Sequence, residues 1–189
     1  ANNETFEISF AAGGFTQYIQ SSVEWRKLVP LIDFVNVMSY DLVHGYSTTS
    51  GHHTPLYSTP AQVESTDHAV KLLLQKGVPA RKIVIGAAFY GRFFAITPGS
   101  KVDLYSPCIF SHSFSSKDAA DTLAEQKGFI HFWDDVAKAP YALHPQRRLL
   151  ATYDDERSIA LKTRYANQKH LGGIMFWQLF DDKRQKGLL

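Results

Sequence analysis

The hydrophobic positions of the chain fall into short apolar runs separated by stretches with helical spacing. Phe6-Glu7-Ile8-Ser9-Phe10-Ala11-Ala12 is rich in strand formers and stops at Gly13-Gly14. Phe34-Val35-Asn36-Val37-Met38-Ser39-Tyr40, Lys82-Ile83-Val84-Ile85-Gly86-Ala87-Ala88-Phe89-Tyr90 and Gly173-Ile174-Met175-Phe176-Trp177 are apolar on both faces, the pattern of strands buried on both sides. Between them, residues 22–29 predict a short helix capped by Ser21 or Ser22, with Pro30 near its end. Thr59-Pro60 predicts the start of a second, with an apolar stripe of Val63, Val70, Leu73 and Leu74 and a stop at Gly77-Val78-Pro79. Asp155 reads as the cap of a third, whose inner residues are Ile159, Leu161, Tyr165 and Ala166. Alternating strands and helices with doubly buried strands predict an α/β fold on a parallel sheet, either open or closed into a barrel.

A long insert after the third strand breaks this rhythm. It holds a helical piece at residues 117–126 and short aromatic strands such as Gly128-Phe129-Ile130-His131-Phe132-Trp133. Runs of short strands with one helix read as a small antiparallel α+β lobe. The 189 residues fit one domain with an insertion, at roughly 150 residues per domain. The net charge is only +2 and no basic run appears, which argues against a nucleic-acid binder. No stretch approaches the ~20 apolar residues of a membrane span. Cys108 is the single cysteine, so neither an internal disulfide nor a cysteine-based zinc site is expected.

Active sites on parallel α/β scaffolds lie beyond the carboxyl ends of the strands. The second strand ends Met38-Ser39-Tyr40-Asp41, the third Phe89-Tyr90-Gly91-Arg92, and the fourth Trp177-Gln178 with Asp181-Asp182 after it. Any one of these has an ordinary structural explanation: Tyr40 in a core, Arg92 in a surface ion pair, Trp177 in packing. Three ends that each deliver an aromatic ring and a charged or amide group suit a sugar, whose apolar faces stack on rings and whose hydroxyls take polar side chains. No glycine-rich phosphate loop follows any strand, so no cofactor is expected. His52-His53, without a third ligand nearby, reads as a pair of turn residues or residues behind a site, and no metal is expected.

Phe34-Val35-Asn36-Val37-Met38-Ser39-Tyr40-Asp41 resembles the sixth barrel strand of glycoside hydrolase family 18, the chitinase family. Ile85-Gly86-Ala87-Ala88-Phe89-Tyr90-Gly91-Arg92 is similar to its seventh strand, and Leu171-Gly172-Gly173-Ile174-Met175-Phe176-Trp177-Gln178 to its eighth. Tyr153-Asp154-Asp155-Glu156-Arg157-Ser158-Ile159 resembles the segment that leaves the family's insertion domain. The resemblance implies strands five to eight of a (β/α)8 TIM barrel at residues 1–91 and 154–189, with an α+β insertion domain at 92–153. It also implies a retaining glycosidase, secreted or at the cell surface, acting on β-1,4-linked N-acetylglucosamine polymers. In that mechanism the sugar's own N-acetyl oxygen attacks and the enzyme supplies no nucleophile.

Carried over by position, the resemblance makes Tyr40 the donor to the N-acetyl oxygen and Asp41 a hydrogen-bonding partner at the cleavage point. Met38, Tyr90, Arg92 and Trp177 become substrate-binding residues, with Asp154 a further candidate on the insertion lobe. The family's general acid belongs to a fourth-strand motif, D-x-x-D-x-D-x-E, which nothing in this sequence matches. The expectation is therefore part of a chitinase that is inactive by itself, or a chitinase-like lectin without catalysis. Four barrel units cannot close alone, so the strand at Phe6 and the strand at Ile174 are expected to present unpaired edges that favour an edge-paired oligomer.

Overall fold

The computed structural model of the chain describes residues 6–188. Its strands are β1 (Ser9–Gly13), β2 (Phe34–Met38), β3 (Ile83–Ala88), β4 (Tyr90–Ile96), β5 (Cys108–Ser115), β6 (Ile130–Asp134), β7 (Ala139–His144), β8 (Leu149–Thr152) and β9 (Gly173–Trp177). Its helices are α1 (Thr16–Ser21), α2 (Trp25–Leu28), α3 (Thr66–Gln75), α4 (Ala119–Thr122) and α5 (Glu156–Gln168). Strands β1, β2, β3 and β9 form one parallel sheet in that spatial order. The other five form an antiparallel sheet ordered β5-β4-β8-β7-β6. The chain passes from the parallel sheet to the antiparallel one between Ala88 and Tyr90, and returns after Thr152.

Helices cover one face of the parallel sheet. Val35 and Val37 of β2 and Ile83 and Ile85 of β3 pack with Ile19, Trp25, Leu73 and Tyr165 in a single apolar cluster. The opposite face is only partly covered by this chain: β2 alternates buried and half-buried residues, and β9 is half-buried to exposed throughout. The expectation of strands buried on both sides holds for β3, where every residue but Val84 is buried, but not for β2 or β9, whose second face is left partly open within these residues. The antiparallel sheet has its own apolar clusters, one around Phe93, Phe129 and Ala151 and another around Phe94, Leu143 and Leu150.

Local chemistry sets the helix ends. Asp155 caps α5 as expected: its carboxylate accepts from the Ser158 N–H at 2.7 Å, and the Ser158 hydroxyl accepts from the Asp155 N–H at 2.9 Å. The inner face of α5 carries Tyr165 and Ala166, also as expected, but its most buried positions include Ser158 and Lys162. The second helix starts later than Thr59-Pro60 predicts. Residues 59–62 close a tight turn, and α3 begins after Ser65, whose hydroxyl accepts from the His68 N–H. Val63 and Leu74 are accordingly exposed, not part of the inner stripe. Residues 22–29 contribute only the single turn α2, and a further turn, α1, lies before it.

A long connection between β2 and α3 ties the two sheets together. The Ser50 N–H donates to the Ser106 carbonyl, the Cys108 N–H to Thr48, and the Leu56 N–H to Ala137. The His53 N–H donates to the Thr152 hydroxyl, and the buried His52 ring pairs with Asp134 at 3.1 Å. Because the β1, β2, β3 and β9 strands run parallel, their carboxyl ends emerge on one side, where this connection and β4 meet.

Candidate functional site

The turn that ends β2 is locked onto β3. The buried Ser39 hydroxyl donates to the Gly86 carbonyl and accepts from the Gly86 N–H, both at 3.0 Å. Gly86 also leaves room for the next residue: a Cβ there would lie 2.8 Å from Tyr40 Cε1. The Tyr40 ring, buried, packs edge to face on Tyr90 at 6.1 Å, and its hydroxyl meets Met175 Sδ of β9 at 3.9 Å. Asp41 then takes a left-handed backbone conformation at φ 59°, which sends its side chain toward β4.

Tyr90 and Arg92 alternate along β4 and so share one face. The Tyr90 hydroxyl and the Arg92 Nε–H both donate to Asp41 Oδ1, each at 2.6 Å. The Arg92 guanidinium lies over Phe110, 5.2 Å from the ring centroid. Burial by itself raises the Asp41 carboxyl, but the facing His53, Arg92 and Tyr90 side chains hold it well below the usual carboxylate range. The Asp41 side chain stays 34% exposed. Burial, with the Asp41 charge beside it, pushes the Tyr40 hydroxyl up to about 12 and raises Tyr90 further. Both phenols therefore stay protonated donors at neutral pH.

Asp41, Tyr90, Arg92 and Trp177 line one cleft of about 560 Å³. Trp177, at the end of β9, is 57% exposed, and its backbone neighbour Phe176 stacks on Phe89 at 4.7 Å. The far wall comes from the antiparallel sheet and the turn after it, with Ser113, Ser115 and Asp118. Asp181 also faces the cleft and accepts from the Ser115 hydroxyl and from Gln178 Nε2. The arrangement offers an exposed ring, a fixed ionised carboxylate, a guanidinium and several hydroxyls, a set that can stack a pyranose and hydrogen-bond its substituents. Among the described residues no group of three or more His, Cys, Asp or Glu could hold a metal ion.

Four of the residues singled out in the sequence thus meet in the cleft, and Tyr40 lies just behind them. Met38 ends β2 partly exposed, outside the cleft lining. Asp154 is not a ligand-side residue. Its side chain is fully buried, pairs with Lys162 Nζ at 2.6 Å, and accepts from the Thr54 and Ser158 hydroxyls and the Ala88 N–H. With these donors on both oxygens and no exposed surface, it is committed to holding α5 against β3. His53 sits behind Asp41, one of the two places its sequence reading allowed. Ser113, Ser115 and Asp181 were not picked out as site residues, and only the position of Asp181 after a strand end gave any signal, since the two serines arrive from the antiparallel sheet.

The family described as Glycosyl hydrolases family 18 matches residues 1–182, and the chain belongs to it. Among relatives, it is 28% identical to Chitinase A1 of Niallia circulans, over 97% of this chain and 29% of that protein. It is 31% identical to an oviduct-specific glycoprotein of Papio anubis, over 94% of this chain and 29% of that protein. The solved structure of a glycoside hydrolase family 18 N-acetylglucosaminidase from Paenibacillus barengoltzii superposes with a TM-score of 0.87 at 34% identity. That match covers 97% of this chain and 54% of the other. The chain therefore spans between 29% and 54% of the length of these relatives.

Proposed function

We propose that the chain is part of a family 18 glycoside hydrolase that cleaves β-1,4-linked N-acetylglucosamine polymers, chitin or chitooligosaccharides, by retaining, substrate-assisted catalysis. On this reading the four parallel strands are strands five to eight of a (β/α)8 barrel. The partly covered face of β2 and β9 is then the barrel interior, waiting for strands supplied by the rest of the protein. The antiparallel sheet is the insertion domain that walls the cleft. A polymeric glycan stays outside cells, so the parent protein is secreted or displayed on the surface.

The observation that carries the reading is the Asp41 carboxylate, pinned by Tyr90 and Arg92 at the mouth of a cleft whose other side is the exposed Trp177 ring. Trp177 forms the floor under the distorted sugar, and Asp41 and Arg92 take its hydrogen-bonding groups. Met38 lines the pocket wall once the remaining strands are in place. The Tyr40 hydroxyl orients the N-acetyl oxygen for attack, an effect exerted mainly near the transition state. The proton for the leaving oxygen comes from a glutamate outside these residues.

The test is chitooligosaccharide hydrolysis by the full-length parent and by the 189 residues alone. The parent is expected to cleave and the isolated chain to be inactive; turnover by the isolated chain overturns the assignment of the acid. In the parent, Tyr40→Phe should lower kcat more than it raises KM, and Trp177→Ala should damage both. Unchanged kinetics for either variant contradicts its role. A second reading is a non-catalytic chitinase-like lectin, which would use the same cleft of Asp41, Arg92 and Trp177 for binding alone. It predicts a parent that binds chitooligosaccharides without cleaving them.

A further inference from the structure

His53 lies directly behind Asp41, and nothing in the proposed reaction yet uses it. Its side chain is fully buried. Its backbone is fixed at both ends: the N–H donates to Thr152 Oγ1 at 3.1 Å, and the carbonyl accepts from the Leu42 N–H at 2.9 Å. Neither ring nitrogen has a hydrogen-bond partner among the described residues. A neutral imidazole must carry one N–H, and a buried donor left unmet is unfavourable. Asp41 Oδ1 lies 3.7 Å from Nδ1. That is too long for a hydrogen bond and within reach of a small side-chain shift.

The groups around the ring decide its state. Asp41 faces it from the turn after β2, Tyr90 and Arg92 from β4, and Asp154, paired with Lys162 of α5, from the segment just before that helix. The Tyr90 ring packs against the imidazole at 5.2 Å. Burial holds His53 below the ordinary histidine range despite the two carboxylates, and the Arg92 cation acts in the same direction. A second buried cation beside Arg92 is thereby avoided, and the ring stays a neutral donor.

We propose that His53 is a positioning residue: with its proton on Nδ1 it is the third donor aimed at Asp41 Oδ1, and together with Tyr90 and Arg92 it fixes the carboxylate so that Oδ2 is presented to a sugar in the cleft. Tyr90 and Arg92 donate to Oδ1, His53 Nδ1 lies 3.7 Å from the same oxygen, and Oδ2 takes no donor among the described residues. The inference rests on the reading of Asp41 as a sugar-binding carboxylate.

The experiment is a double-mutant cycle in the full-length parent: His53→Leu and His53→Asn, each alone and combined with Asp41→Asn, read by kcat/KM on chitotetraose and by melting temperature. Asparagine places an amide N–H near the position of Nδ1, and leucine places no donor there. His53→Leu is expected to lower kcat/KM about tenfold, with His53→Asn restoring it to within about threefold, and His53→Leu should change nothing further in the Asp41→Asn background. An equal loss with and without Asp41, or asparagine no better than leucine, overturns the proposal. If the wild-type parent neither cleaves nor binds chitotetraose, the sugar reading itself fails. The hold of His53 on Asp41 is then judged on melting temperature alone, where additive shifts overturn it and non-additive shifts sustain it.

Discussion

At the scale of single residues, the site depends on a few backbone and burial choices. Gly86 admits the Tyr40 ring, and a methyl group there would also sit 2.8 Å from the Val37 carbonyl, which cannot move aside cheaply. Gly86→Ala is therefore expected to destabilise the protein by about 1–3 kcal/mol and to displace Tyr40, measured by urea unfolding and by loss of turnover. His53 gives a pH signature. Its folded-state pKa lies below its ordinary value of 6.5, so the unfolded chain takes up a proton that the folded chain refuses. Its contribution makes stability fall as pH drops below 6.5, and His53→Asn should flatten that part of the profile of melting temperature against pH. Burial raises the Cys108 thiol to about 11, which leaves it a packed, unreactive side chain at neutral pH.

At the scale of elements, the parallel strands and the α5 cap were legible because their signals are local: apolar runs, and an aspartate just ahead of a helical stripe. The start of α3 was misread because Pro60 is as good a turn residue as a helix opener, and Ser65 supplies the better cap. Lys162 could not be read at all. A lysine on a helix is ordinarily solvated, and what buries this one is an aspartate before the helix and a threonine from the long connection. Convergence of this kind, like the approach of His53 to Asp41, is decided by tertiary geometry and leaves no trace in periodicity. Lys162→Met should remove one partner of a fully buried pair and cost about 3–5 kcal/mol in chemical denaturation. A loss below about 1 kcal/mol, the size expected of an exposed pair, would contradict the structural role given to Asp154.

At the scale of the whole molecule, β1 and β9 each have one neighbour in the parallel sheet among the described residues. If the remaining barrel strands normally cover those edges, the 189 residues expressed alone should associate through them, and static light scattering that finds a clean monomer would argue against the half-barrel reading. The connection between β2 and α3 has a further consequence, for cooperativity. The two sheets own separate apolar clusters, and by that criterion each could melt at its own temperature. The strap of hydrogen bonds running through Thr48, Ser50, His52, His53 and Leu56 makes the loss of either sheet expose donors and acceptors that the other has buried. Heating should therefore yield a single calorimetric transition whose van't Hoff and calorimetric enthalpies agree, with the two layers behaving as one thermodynamic unit.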